Sequence, residues 1–135
     1  MRHLGTLLDG ARSSHRATIM TAVGRVGADQ RREFDALRRR LDNLSVPAPA
    51  QLCHDAVATW LDEMVAACAA MVQVGESREM QRLKETQEHL AASRAGARTF
   101  NSEYERLLAE LKRRVNATQR RRSRLSRLLR RRVED

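Results

Sequence analysis

Eleven basic side chains, ten of them arginine, crowd the last 24 residues of this 135-residue chain, alongside two acids. The formal net charge of the whole chain is +9, from 26 basic and 17 acidic residues. Residues 112–135 account for all of it, because residues 1–111 carry 15 of each sign. Placed on a helix at ~100° per residue, Arg113, Arg120, Arg124, Arg127 and Arg131 fall within an arc of ~60°. They would form a ridge ~27 Å long. Guanidinium forks bond phosphate oxygens in pairs, and each neutralised phosphate releases counterions. The chemistry expected of such a ridge is polyanion binding, with nucleic acid the expected partner. The tail holds no aromatic residue, so it offers no stacking platform for single strands. Nor does it show a helix-turn-helix pattern for reading bases. Binding should be independent of sequence and sensitive to salt.

Other readings of the same charge stand beside this one. A solvated helix end would keep an apolar bundle soluble. Leu125, Leu128, Leu129 and Val133 could offer a shallow face to an anionic membrane surface. Arg121, Arg122 and Arg132 interrupt that face and no Trp or Phe anchors it, so a membrane is the weaker partner. Docking on an acidic protein is the remaining option.

Catalytic and metal chemistry find little support. The four histidines, His3, His15, His54 and His89, include no i, i+4 pair of the kind that holds zinc on a helix. The Glu-x-x-His motif of di-iron bundles is absent. Cys53-His54 pairs a nucleophile with a base only in sequence, since neighbouring helical side chains point ~100° apart. Glu85 and His89 could share a helix face as an ordinary i, i+4 pair. No glycine-rich phosphate loop occurs. A non-enzymatic protein without cofactor or metal is expected.

The elements that would position the tail follow from composition and periodicity. Apolar residues make up 41% and charged residues 32%, too apolar for a wholly disordered chain and too charged for a membrane bundle. Two prolines and six glycines leave few turns, which disfavours a many-stranded sheet. The most apolar stretch, Ala56 to Val74, is broken by Asp62 and Glu63. No secretory h-region opens the chain. The acid-poor first 32 residues faintly resemble a transit peptide but read better as a core-facing helix. Cys53 and Cys68, ~22 Å apart on one straight helix, cannot bridge within it. Reduced thiols and a cytoplasmic setting are expected.

Residues 1–44 read as one long helix, or as two that meet near Gly27 with Asp29 capping the second. The stripe is Leu4, Leu8, Ala11, Thr18, Ala22 and Val26, then Phe34, Leu37, Leu41 and Leu44. Gly24 and Gly27 mark a weak point near 24–28. Arg31, Arg32 and Arg38–Arg40 lie among acids at helical spacing and are expected to form surface ion pairs. Residues 45–50, with Pro47 and Pro49, form a linker. Residues 51–115 read as a helical hairpin. Its first helix has a broad apolar face anchored by Trp60, the pattern of a central helix covered on two sides. Gly75 and Ser77 read as a stop-and-cap pair that turns the chain; a helical Gly75 would give one rod instead.

The third segment alternates steps of three and four from Met80 to Arg132, the spacing of a coiled-coil seam. Leu83, Leu90, Ala97, Tyr104, Leu108 and Leu111 are its candidate oligomer or partner contacts. Gln87, Arg94 and Asn101 recur every seven residues on the same seam, either setting register in an oligomer or facing water in a monomer. Residues 116–135 read as an Arg-rich helix end or tail that projects as a free helix, frays, or orders on a partner. The expected fold is all-α: an elongated three-helix bundle or coiled coil whose long C-terminal helix projects beyond the bundle. A homo-oligomer, most simply an antiparallel dimer, is expected. The rival function is a structural or adaptor protein that binds a partner protein through its seams.

Overall fold

The computed structural model describes residues 2–134, with side chains from Ser14 onward. It consists of three helices: α1 (Arg2–Asp42), α2 (Gln51–Ser77) and α3 (Leu83–Glu134). Short 3₁₀ turns at Ala48–Ala50 and Met80–Arg82 precede α2 and α3. No strand occurs among the described residues. Both α1 and α3 pack on α2 and make next to no contact with each other. The three helices therefore form a layer with α2 in the middle, as its broad apolar face demands. Leu61, Ala67, Cys68 and Val74 are buried there. Trp60 meets Phe34 of α1 edge-on, with ring centroids 6.0 Å apart, a favoured aromatic geometry.

The two acids that interrupt the apolar run of α2 each face a different neighbour. Asp62 Oδ1 accepts a 2.8 Å bond from Arg38 Nε of α1. Glu63 Oε2 accepts a 2.7 Å bond from His89 Nδ1 of α3. By length and composition the segment Ala48–Ser77 is apolar enough to cross a membrane, its most apolar 18-residue window having a mean hydropathy of 1.3. In this fold its two central acids tie the layer together on both sides.

The chain does turn back between α2 and α3, but not at Gly75. Gly75 is helical, and the residue that stops α2 is Arg78, in the left-handed region at φ 57 and ψ 24. Its backbone N–H donates to Val74 O, closing the last turn. A glycine at that position would adopt the left-handed conformation without the Cβ penalty of ~1–2 kcal/mol. Arg78→Gly is thus expected to stabilise the chain by about 1 kcal/mol, visible as a higher urea midpoint with an unchanged slope.

The glycines expected to weaken α1 do not break it. The helix is continuous from Arg2 to Asp42, and Gly24 and Gly27 lie against α2 instead. A Cβ added at Gly24 would sit 2.9 Å from Gly75 Cα, and one at Gly27 would sit 2.6 Å from Met71 Cβ. The missing side chains let two helix backbones approach. This crossing also corrects the expected stripe of α1. Its packed face runs through Met20, Gly24, Gly27, Phe34, Arg38 and Leu41, whereas Val26, Leu37 and Leu44 are exposed. Leu4, Leu8 and Ala11 lie outside the residues whose side chains are described. On the surface of α1, Asp29 pairs with Arg32, Asp35 with Arg31 and Asp42 with Arg38.

A candidate polyanion interface on the projecting helix

α2 begins at Gln51, and the part of the antiparallel α3 that runs past that point has no neighbour. Gly96 backs onto Trp60, Thr99 and Glu103 border Leu52 and Asp55, and the last half-buried side chain is Glu110. From Leu111 to Glu134 every residue is exposed and helical, a rod of ~36 Å beyond the packed layer. Good helix formers sustain it: Arg and Leu predominate, and neither Gly nor Pro interrupts it.

The five ridge arginines all lie on this rod. Arg120, Arg124 and Arg127 border one shallow strip together with Asn116, Gln119 and Ser123. Arg113 joins Arg120 and Arg124 on the strip beside it. Arg131 continues the line one turn beyond Arg127, by helical spacing. Asn116, Gln119 and Ser123 add short hydrogen-bonding groups between the guanidinium groups. Asn116 and Ser123 stand four and three residues from Arg120, and Gln119 three and four from Asn116 and Ser123, the spacing that was the available signal for them. Among the described residues, none of the five arginines is in an ion pair, while the neighbouring Arg114 holds Glu110 at 2.6 Å. The strip is an open convex surface, so the chemistry it offers is charge and hydrogen-bond donation to an extended anion.

The seam residues divide into two groups. Leu83, Leu90 and Ala97 are half-buried beside α2. Tyr104, Leu108 and Leu111 are exposed, as is Val115. The row that α3 buries against α2 lies to one side of the seam and is built from small residues: Thr86, Ser93 and Gly96. Phe100 stacks on Tyr104, with centroids 5.7 Å apart. Gln87, Arg94 and Asn101 face water in the single chain.

The other reactive side chains are structurally occupied. Cys53 and Cys68 are buried free thiols, and burial pushes the Cys68 pKa up, with Arg31 opposing the shift. His54 Nε2 donates to Leu41 O at 3.2 Å, holding the end of α1 rather than activating Cys53. His89 pairs with Glu63, not with Glu85. No group of three or more His, Cys, Asp or Glu residues is placed to hold a metal ion among the described residues. No protein-family model, curated protein or solved structure matches this chain.

Proposed function

We propose that this is a non-enzymatic helical protein whose projecting α3 end binds a polyanion, nucleic acid above all, without sequence specificity. The observation that carries the reading is the isolation of the ridge. Five arginines share one face of the end of α3, which packs on nothing else among the described residues, and no described carboxylate pairs with them. A fixed helix holds the guanidinium groups in place, so less conformational freedom is lost when they bind. The spacing along the ridge suits a run of backbone phosphates, and the lack of aromatics leaves duplex backbone as the natural target rather than unstacked bases.

The test is a titration of the intact chain with duplex DNA, duplex RNA and anionic vesicles across a salt series. The expected result is tight binding to both duplexes at low salt, with no preference among DNA sequences. The plot of log affinity against log salt should fall linearly, with a slope of about −4 to −5 if the five ridge arginines engage B-DNA. Absence of salt-dependent duplex binding refutes the reading, and binding to vesicles alone transfers it to a membrane surface.

A further inference from the structure

Past the end of α2, the seam of α3 presents Tyr104, Leu108, Leu111 and Val115 to solvent, each between 39% and 55% exposed. Their spacing of four, three and four is that of a coiled-coil seam with nothing packed on it. We propose that a second copy of this chain packs antiparallel along α3, with Leu108 of one copy against Leu111 of the other.

The sequence of α3 is self-complementary about that centre. An antiparallel coiled coil sets each residue of one copy opposite a residue of the other at a constant sum of positions. With Leu108 facing Leu111, Tyr104 faces Val115 and Leu90 faces Leu129. The polar seam residue Asn101 meets Thr118, and the bulky Arg122 meets the small Ala97. Sliding the copies by one heptad sets Leu108 against Thr118 in one direction, or Leu111 against Asn101 in the other. A buried polar group opposite a large apolar one costs more than one opposite another polar group; this register has one such pairing, Arg94 with Leu125, where either neighbouring register has at least three, so it is the favoured one.

Charge selects the direction. A parallel pair would lay the 11 basic residues of one tail along the same 11 of its twin. The antiparallel pair lays each tail along residues 84–107, which carry four basic and four acidic side chains. The ridge of Arg113, Arg120, Arg124, Arg127 and Arg131 lies ~180° around the helix from Leu108, Leu111 and Val115. It therefore stays open to solvent in both copies, and the pairing stands whether or not the ridge binds a polyanion.

Light scattering of the intact chain over a concentration series, together with directed cross-linking, tests the pairing. The expected mass rises to twice that of one chain. Leu108→Glu with Leu111→Glu should return it to a single chain with unchanged helicity, since both side chains are exposed in the isolated fold. Tyr104→Cys and Val115→Cys chains, oxidised separately with oxidised glutathione, should form little covalent dimer. Like positions are 11 residues out of register, ~16 Å apart along the axis, beyond disulfide reach. Oxidised as a mixture they should form the mixed dimer. A concentration-independent single-chain mass overturns the proposal, and so does cross-linking by either variant alone, which marks a parallel pair. A dimer whose mass survives the double glutamate variant also overturns it.

Discussion

Gly27→Leu is expected to lower stability by more than ~3 kcal/mol and to uncouple α1 from the rest of the chain. At this point of the crossing there is no room for even one carbon. The first carbon of the new side chain would meet Met71 Cβ at 2.6 Å and the Cys68 carbonyl oxygen at 2.8 Å. One of these neighbours is backbone and cannot swing aside. Adding methylenes to a packed interior commonly costs 1–3 kcal/mol when neighbours can shift; here two helix axes must separate. A small domain holds only about 5–15 kcal/mol in total, so the effect should be visible as a large drop in the urea midpoint. Loss of α1 docking should also expose Trp60, reddening its fluorescence before the helical signal is lost. Gly96→Ala is the matched control of opposite sign. There the added Cβ would lie 3.4 Å from Trp60 Cα, an ordinary contact, and alanine is better than glycine inside a helix by about 1 kcal/mol. That variant should be as stable as the parent or more so. If Gly27→Leu matched the parent, the helices would not be in contact at this crossing.

The same crossing explains which parts of the fold could be read from the sequence. Large apolar residues at helical spacing made α2 recognisable as the central helix, and Trp60 does sit at the junction of all three. The α1 face was legible only in part: Phe34 and Leu41 of its apolar stripe do pack, but leucine and valine alone are a poor guide to the rest. The chain packs α1 through two glycines, which carry no apolar weight in a periodicity count. Val26 and Leu37, which do, face solvent. Gly75 misled for a related reason: a glycine followed by serine looks like a helix stop, yet here its value is the absence of a side chain opposite Gly24. The actual stop, Arg78, has no sequence signature, because arginine is an ordinary helix former whose left-handed backbone is imposed by the docking of α3 on α2. On α3 the apolar seam was legible, while the packed row of Thr86, Ser93 and Gly96 was not. Small polar residues enter an interface only where backbones come close, and that depends on the partner helix. The arginine ridge was readable at once, since it needs only a continuous helix and the absence of neighbours.

Replacing the five ridge residues together, Arg113, Arg120, Arg124, Arg127 and Arg131 to Gln, is expected to lower duplex affinity ~10²- to 10³-fold at 0.1 M salt. The salt slope should fall by about four, because each lost phosphate contact removes roughly 0.9 from it. The remaining tail arginines and Lys112 keep some affinity, which is why the loss is not complete. Net charge alone does not explain the expected effect, and a second variant separates the two. Arg25, Arg39, Arg40, Arg94 and Arg98 are also exposed, and changing them to Gln removes the same five charges from the packed layer instead. At this ionic strength exposed charges act over ~10 Å, whereas the ridge stands on a rod reaching ~36 Å beyond the layer. The layer variant should therefore bind within about threefold of the parent, with nearly the parent slope. Both variants should keep the parent's helicity and urea midpoint, since none of the ten side chains is in an ion pair among the described residues. Equal losses in the two variants would mean that affinity follows overall charge, and the ridge would then be a solvated helix end rather than a binding face.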